Sequence, residues 1–264
     1  MSADPLLEAV KASSKYRALA DDVVLAALAS ARRAGGRDAD VVKRAKRKLH
    51  QVFGAFLGAS DRKRALAALR AAATAPDEAA WRAHLDAAMA AHSSTAERHG
   101  EVAALWEGLR AAAGEVRAVL DLGCGLGPLA LPGSGLPADV RWLGIDVDAE
   151  LCGAVQEALG GRYPHVEVRA GDARSAPLGE GYDLALLLKL APTLDQLEPG
   201  AAAALVGRVP ARVVAVSFPT HTLGGRDVGM AARYDAHADA LLAGWERLAP
   251  IALRHERVHL ARRP

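Results

Sequence analysis

The first 113 residues carry apolar side chains at three- and four-residue steps, which is the spacing of an amphipathic helix. Alanine and leucine dominate these stretches, and Gly35-Gly36, Gly58 and Pro76 interrupt them. No run before residue 116 has the pattern of a strand. The spacing therefore predicts an all-helical N-terminal region, with helices over residues 6–18, 21–33, 41–57, 62–73, 78–91 and 95–113.

Beyond residue 116 the pattern changes to short apolar runs separated by helix-length stretches, which is typical of strands that alternate with helices. Such alternation favours an α/β fold with a parallel, doubly wound sheet whose ligand lies at the carboxyl ends of the strands. Two final runs, 250–254 and 257–261, are too close together for a crossover helix and predict an antiparallel hairpin. The five runs before them cover residues 116–122, 140–145, 166–169, 182–188 and 213–218.

The composition, 51% apolar and 24% charged, is that of an ordinary globular protein and argues against disordered and disulfide-scaffold classes. Cys124 and Cys152 are too few for a zinc cage, and no histidine has the neighbours to complete a site, so we expect no metal. The acids near Met1 argue against a signal peptide. The apolar run 184–188, like every other apolar run of the chain, is far shorter than the roughly 20 residues of a membrane span. We therefore expect a cytoplasmic protein.

Positive charge is concentrated between residues 41 and 70, although the whole chain has a net charge of only +2. Nine lysines and arginines stand in this window with a single acid, Asp61. Val42, Ala45 and Leu49 share one helical face, so the cations between them cover most of the remaining circumference. Because these cations lack acidic partners at i,i+4 spacing, the pattern favours a polyanionic partner over a merely solvated face.

The first strand ends in Asp121-Leu-Gly-Cys-Gly-Leu-Gly, a glycine loop that lets a ligand approach the backbone closely. Nicotinamide enzymes use a similar loop, so the glycines alone leave a dinucleotide-binding protein open. An acid stands at the end of each of the first three strands, namely Asp121, Asp146 and Asp172. Such acceptors suit the ammonium, ribose and adenine of S-adenosylmethionine better than a pyrophosphate. The motif favours a methyltransferase, with a dinucleotide-binding protein and an incidental glycine turn as alternatives.

The segment after the fourth strand, Leu186-Leu-Leu-Lys-Leu-Ala-Pro-Thr, lacks the Asn-Pro-Pro-Tyr-like pattern of amino-group methyltransferases. There is no Pro-Cys pair to serve as a nucleophile, and both cysteines are interpreted as small core residues. The methyl acceptor is therefore expected to be a nucleophile that needs no covalent help. Guanine nitrogen 7 is one, because its lone pair is free at neutral pH, and alignment alone can contribute roughly 7–11 kcal/mol.

Taken together, these residues resemble one family, the aminoglycoside-resistance methyltransferases that modify guanosine 1405 of 16S rRNA. The similarity runs almost from end to end. This chain has Gly123 and Gly127 where family members often carry alanine and asparagine, and His221 where lysine is common. The stretches that carry the similarity are Lys15-Tyr-Arg, the basic helix 42–57, His92-Ser-Ser-Thr-Ala-Glu-Arg, residues 121–130, Asp146-Val-Asp, Leu186-Leu-Leu-Lys, and the loop from Phe218-Pro-Thr through Leu223-Gly-Gly-Arg to Gly229-Met.

The resemblance implies methyl transfer from S-adenosylmethionine to nitrogen 7 of that guanosine in the small (30S) ribosomal subunit. Resistance to 4,6-disubstituted deoxystreptamine drugs such as kanamycin and gentamicin would follow. It further implies three parts: a basic helical module over 1–75 that docks on rRNA, linking helices over 76–113 that contribute to the cofactor site, and a class I, Rossmann-like methyltransferase core over 114–264. The enzyme would flip the guanosine out of its helix.

By the same resemblance, Arg98 would hold the methionine carboxylate, while Lys189 and Arg226 would be the catalytic residues on the target side. The cofactor would be bound by Ser94, Thr95, Arg98, Gly123, Cys124, Gly125, Asp146, Val147, Asp172, Ala173 and Leu188. The rRNA would be bound by Lys15, Arg17, Lys43, Arg44, Arg47, Lys48, Arg62, Lys63 and Arg64.

Three alternatives stay open at this point. Another decoding-site nucleotide, such as adenosine 1408, would keep the enzyme class. A small-molecule methyltransferase would have no use for the basic window, and a non-catalytic ribosome-binding protein would have no use for the three strand-end acids. We expect a monomer that binds neither DNA nor a membrane.

Overall fold

The computed structural model describes residues 4–54, 59–220 and 230–264 of the chain. Arg226 and His221 therefore lie outside the described residues. Within these ranges an all-helical N-terminal region precedes an α/β sheet, as predicted from the sequence. The helices before the sheet are α1 (Pro5–Lys11), α2 (Asp21–Arg33), α3 (Asp38–Phe53), α4 (Ala59–Ala73), α5 (Glu78–Ala91), α6 (Ser93–Ala96) and α7 (Val102–Ala113).

Two of the predicted N-terminal helices are wrong in extent, and a third, predicted over 41–57, is observed at Asp38–Phe53, with residues 55–57 outside the described ranges. The helix expected over 6–18 ends at Lys11. The chain beyond it leaves the helical path because it is held by distant partners: the Tyr16 hydroxyl donates to the carbonyl of Lys46 on α3 at 3.1 Å, and Leu19 forms a bridge with Asp148. The helix expected over 95–113 is broken into α6, a short 3₁₀ turn at His99–Glu101 and α7. Gly100 lies inside that turn, where a residue of low helix propensity interrupts the α-helical ladder.

The sheet has seven strands in the order β3-β2-β1-β4-β5-β7-β6. Strands β1 to β5 are parallel, whereas β7 runs antiparallel to both β5 and β6. Each predicted strand is present, and the predicted C-terminal hairpin is confirmed as β6 and β7. The strands are β1 (Ala118–Leu122), β2 (Arg141–Asp146), β3 (Val166–Ala170), β4 (Tyr182–Leu188), β5 (Ala211–Pro219), β6 (Glu246–Ala252) and β7 (Glu256–Arg262).

The inner strands carry apolar residues on both faces because helices cover both faces of the sheet, as in other parallel sheets. The helices after β1 are α8 (Ala149–Gly160), α9 (Ala191–Leu197), α10 (Ala201–Arg208) and α11 (Met230–Leu241). One buried cluster joins α4, α5, α7 and α8 to one face, and a second joins α9, α10 and α11 to the other.

Helices α1, α2 and α3 have a hydrophobic cluster of their own, built around Val10, Leu19, Val24 and Leu49. The buried residues of α4, by contrast, belong to the cluster of α5, α8 and the sheet. The contact between α3 and α9 brings the N-terminal cluster against the carboxyl edge of the sheet. There Lys48 Nζ donates to the carbonyl of Gln196 at 2.6 Å.

Candidate active site

The order of the strands reverses between β1 and β4, so the chain connections leave these two parallel strands in opposite directions. This reversal opens a crevice at the carboxyl ends of the strands. The glycine loop lies there. The N–H groups of Gly123 and Cys124 donate to the carbonyl of Ile145 at 2.8 and 3.1 Å, and Gly123 has a φ of 66°. A Cβ atom at Gly123 would lie 2.8 Å from Leu190 Cδ1, so a side chain at this position would have to displace Leu190.

Asp146 ties the end of β2 to the glycine loop. Its Oδ2 accepts a hydrogen bond from the Gly125 N–H at 2.9 Å, and its Oδ1 accepts one from the Asp148 N–H at 3.0 Å. Burial raises the pKa of Asp146, and these backbone donors oppose the rise. Each carboxylate oxygen can accept more than one bond, so Asp146 is fixed beside the loop and can still accept from a hydroxyl.

A first cavity lies on one side of Gly123 and is lined by the buried residues Thr95, Arg98 and Asp121. Asp121 Oδ2 has no hydrogen-bond partner within the described ranges. Burial raises the pKa of Asp121 to about 7, although the nearby Arg98 guanidinium opposes the rise. A buried, unpaired carboxyl beside an arginine suits a ligand that has both an amine and a carboxylate. The amino-acid end of S-adenosylmethionine has both.

A buried network holds Arg98 in this cavity. Arg98 Nε and one terminal nitrogen donate to the two carboxylate oxygens of Glu256 on β7, at 2.8 and 2.9 Å. Ser217 Oγ, at the end of β5, donates to the same carboxylate. It also accepts the backbone N–H of Lys189 at 2.9 Å. The network therefore connects the proposed methionine-binding arginine to the residue that follows β4.

Lys189 has a φ of 58°, which makes it the one described non-glycine residue in the left-handed region. Such a backbone conformation costs free energy in a residue with a side chain, and residues of this kind cluster at functional sites. Its Nζ forms an ion pair with Glu97, next to Arg98 in sequence. The structure thus brings Lys189 to the crevice, and its action on a methyl acceptor stays a prediction.

A second cavity lies on the other side of Gly123, beside Asp146, Val147, Asp172 and Ala173. All four were predicted from the sequence as cofactor-binding residues, and the structure brings them together. Two further walls come from the N-terminal helices: Val23 of α2 and Phe53 of α3, both buried.

Asp172 is nearly fully buried and holds Arg174 through both carboxylate oxygens, at distances of 2.5 to 3.0 Å. Hydrogen bonding to Asp172 raises the pKa of Arg174. Asp172 was predicted from the sequence to bind the cofactor, whereas Arg174 was not predicted. The ion pair fixes the carboxylate at the rim of the second cavity.

The other predicted cofactor residues divide between the two cavities and the loop. Cys124 and Leu188 line the first cavity. Gly125 lines neither, but its N–H fixes Asp146. Ser94 belongs to α6, one residue before Thr95. Both cysteines are buried, and burial raises the pKa of each thiol, which agrees with their interpretation as core residues.

The predicted rRNA-binding residues fall into two groups: an exposed group, and an engaged group whose side chains form hydrogen bonds to other elements of the fold. Lys43 and Arg47 are exposed at i,i+4 spacing on α3, and the exposed Lys15 contacts His50 one turn further along at 2.7 Å. Arg17, Lys63 and Arg64 are also exposed, and Arg64 pairs with Asp61 at 2.7 Å. We call Lys43 and Arg47 on α3, together with Lys15 beside it, the α3 basic face.

The engaged group consists of Arg44, Lys48 and Arg62. Arg44 donates to the carbonyls of Ala31 and Gly35, at the carboxyl end of α2. Lys48 bonds to α9, as described above. Arg62 donates to Asp148 at 2.6 and 2.9 Å and to Glu150 at 2.8 Å. These three side chains join elements of the fold, so a role in RNA binding stays a prediction for each.

Five residues at or beside the two cavities were not predicted from the sequence, namely Glu256, Glu97, Arg174, Val23 and Phe53. For Glu256 a signal existed: it stands two and four residues before the buried Val258 and Leu260, on the same face of β7. Phe53 lies within the helix predicted over 41–57, and nothing in that helical pattern indicates a cavity.

No cluster of three or more histidine, cysteine or acidic side chains that could hold a metal ion occurs in the described parts of the chain. Among the described helices, none is both long and apolar enough to cross a membrane.

The strand order, the antiparallel β7, the glycine loop and the two cavities that meet at Gly123 define a class I S-adenosylmethionine-dependent methyltransferase. A family model described as "Ribosomal RNA methyltransferase (FmrO)" matches residues 12–251, and the chain belongs to this family. The predicted enzyme class and cofactor are thereby confirmed, and the dinucleotide-binding alternative is wrong.

The match extends to individual relatives. The chain is 35% identical over 237 residues to a 16S rRNA (guanine(1405)-N(7))-methyltransferase of Micromonospora echinospora, which covers 88% of this chain and 85% of the relative. An enzyme with the same description from Serratia marcescens is 35% identical over 236 residues, covering 89% and 88%. The crystal structure of the 16S rRNA methyltransferase RmtF with S-adenosyl-L-homocysteine superposes with a TM-score of 0.83 at 31% identity and covers all of both chains.

Proposed function

We propose that this protein transfers the methyl group of S-adenosylmethionine to nitrogen 7 of guanosine 1405 in the 16S rRNA of the small ribosomal subunit. The observation that carries the proposal is the 35% identity to enzymes described by that reaction, because it spans the N-terminal helices as well as the core. A relative that shared only the cofactor core would support the enzyme class but not the substrate.

The chemistry of nitrogen 7 suits this site. The guanine lone pair attacks the methyl carbon, the carbon–sulfur bond breaks and S-adenosylhomocysteine leaves, so no proton has to be removed and no thiolate is needed. The buried, protonated cysteines therefore have no part in the reaction. The protein's task is alignment, which can contribute roughly 7–11 kcal/mol. Lys189 at the crevice, together with Arg226, would orient the flipped base.

Docking on the subunit would use helices α1 to α3, the docking helices, through the α3 basic face. The helix that carries Lys43 and Arg47 is close to the crevice, because α3 contacts α9, and α9 begins two residues after Lys189. Contacts with phosphates would position the enzyme and would weaken with salt through counterion release. Arg17, Lys63 and Arg64 would extend the same surface.

Aminoglycoside resistance would be the consequence in the cell. Methylated nitrogen 7 carries a positive charge and a new methyl group, so it would repel a cationic 4,6-disubstituted deoxystreptamine drug both electrostatically and sterically. The enzyme would act in the cytoplasm on assembled subunits, as a monomer, without binding DNA or a membrane.

The test incubates the purified full-length protein with S-adenosylmethionine and unmethylated small subunits, followed by mass spectrometry of the nucleosides. We expect N7-methylguanosine at position 1405. Subunits that carry adenosine at 1405 are the control and should accept no methyl group.

Two results would overturn the proposal in different ways. A methyl group at adenosine 1408 or elsewhere would keep the enzyme class and change the target. Methylation of a free aminoglycoside in place of the subunit would establish a small-molecule methyltransferase.

A further inference from the structure

The docking helices are joined to the cofactor crevice by backbone hydrogen bonds. The Ala20 N–H donates to the carbonyl of Val147 at 2.8 Å, and the Ala149 N–H donates to the carbonyl of Ala18 at 2.7 Å. Leu19 and Asp148 form an isolated antiparallel bridge between them. The chain just before α2 is therefore fixed to the residues that directly follow Asp146.

One side chain extends this connection to the turn after β3. Asp22 Oδ2 accepts the backbone N–H of Asp172 at 2.8 Å, across 150 residues of sequence, while Oδ1 accepts the N–H of Val23 at 2.9 Å. Gly171, the other residue of this turn, donates its N–H to the carbonyl of Asp146. Asp22 thus provides the one described side-chain acceptor for a backbone N–H of the turn at 171–172, while the hydroxyl of Ser175 donates to the Asp172 carbonyl at 3.5 Å.

The same helices also cover the second cavity. Val23, next to Asp22, is 2% exposed, and Phe53 at the end of α3 is 5% exposed, yet both line this cavity together with Asp146 and Asp172. An aromatic ring and a branched aliphatic side chain suit the apolar faces of a purine. Its polar edge would then meet Asp172.

We propose that Asp22 is a positioning residue for the adenosine of the cofactor. It holds the turn at 171–172, so that Asp172 faces the base, and it fixes the start of α2, where Val23 joins Phe53 of α3 as the apolar wall of the same subsite. The docking helices are therefore part of the cofactor site as well as part of the RNA-binding surface. The inference rests on the proposed function for its ligand, but not on the identity of the methylated nucleotide.

The experiment measures the dissociation constants of S-adenosylhomocysteine and of adenosine for the full-length protein by calorimetry, at a temperature well below unfolding. Asp22→Ala removes the acceptor, and we expect both dissociation constants to rise by about tenfold, as for loss of a hydrogen bond to a charged group. Asp22→Asn keeps a carbonyl oxygen in the same place and should restore affinity to within about threefold of wild type.

Asp21→Ala is the matched control. Asp21 is the preceding residue on the same helical turn, carries the same charge and pairs only with Lys11 among the described residues. We expect its affinity for S-adenosylhomocysteine to stay within about twofold of wild type. Melting temperatures of the three ligand-free variants show whether each is folded at the temperature of the titration.

Three results would overturn the inference alone: wild-type affinity in Asp22→Ala, equal weakening in Asp21→Ala, or weaker binding of S-adenosylhomocysteine with unchanged binding of adenosine. The last would assign the effect to the methionine end of the cofactor. A wild-type protein that binds neither ligand would overturn the inference and the proposed function together, whereas a methyl group on another nucleotide would leave the inference intact.

Discussion

At the scale of single residues, the carboxyl of Asp121 makes the stability of the ligand-free protein depend on pH. Burial raises its pKa from 3.8 to about 7, so the folded state holds this proton more tightly than the unfolded chain does. The stability that this proton provides is complete below pH 3.8 and is lost as the pH rises through about 7. At pH 8 the loss amounts to about 4 kcal/mol.

Asp121→Asn removes this titration, so we expect its melting temperature to exceed that of the wild type by more at pH 8 than at pH 5. Thermal melts followed by circular dichroism measure the difference. The same variant should bind S-adenosylhomocysteine more weakly, because the ligand's ammonium loses a carboxylate partner. Asp139→Asn, at an exposed acid far from the crevice, is the control. An advantage of Asp121→Asn that is the same at both pH values would contradict the assignment.

Three acids of the site stand at strand ends and were predicted from that position, whereas Thr95 and Arg98 were expected only from the family resemblance. Asp121, Asp146 and Asp172 were predictable because the carboxyl ends of parallel strands meet at one edge. Glu256 was not assigned to the site, because its partner Arg98 lies 158 residues away and the pairing depends on the antiparallel position of β7.

At the scale of elements, α4 is held on α8 by Arg62, whose partner Asp148 also caps α8 by accepting the Leu151 N–H at 3.0 Å. The two side chains of this ion pair are only 16% and 8% exposed. Hydrogen bonding to Asp148 raises the pKa of Arg62, as expected for a pair of this kind.

We expect Arg62→Ala to lower the free energy of unfolding by about 3 kcal/mol, because it leaves Asp148 desolvated and without its main cation. Urea unfolding measures the loss. Lys63→Ala, at the exposed neighbouring position, should change stability by no more than about 0.5 kcal/mol. If the two substitutions changed the free energy of unfolding equally, the Arg62–Asp148 ion pair would not stabilise the packing of α4 on α8. The predicted contact with rRNA would then be the better explanation of why an arginine stands at position 62.

The prediction of the elements succeeded where local periodicity decides the structure and failed where distant contacts do. The strand runs and the hairpin are predictable because their apolar residues are buried within the sheet. The end of α1 at Lys11 depends on Tyr16 and Leu19, whose partners are Lys46 and the chain around Asp148. No pattern within residues 6–18 contains that information.

At the scale of the whole molecule, the predicted division into an RNA-binding part and a cofactor-binding part is incomplete. The docking helices have their own hydrophobic cluster, yet Val147 and Leu197 of the core pack against it and Phe53 reaches the second cavity. A substitution in these helices can therefore act on either ligand, depending on the face it alters. Basic residues on the exposed face should affect RNA binding alone.

Reversing charge on the α3 basic face separates the two roles. We expect Lys43→Glu with Arg47→Glu to weaken binding to small subunits roughly tenfold and to reduce the slope of log affinity against log salt by about 2, since two phosphate contacts are lost. The affinity for S-adenosylhomocysteine should not change, because both side chains are exposed and neither lines a cavity. Filter binding at several salt concentrations and calorimetry provide the two readouts. Arg117→Glu, before the amino end of β1 and opposite the crevice, is the control for net charge, and it changes the charge half as much as the double variant does. If the control lowered the logarithm of the subunit affinity by half as much or more, the net charge of the protein and not the α3 basic face would account for its attraction to the ribosome.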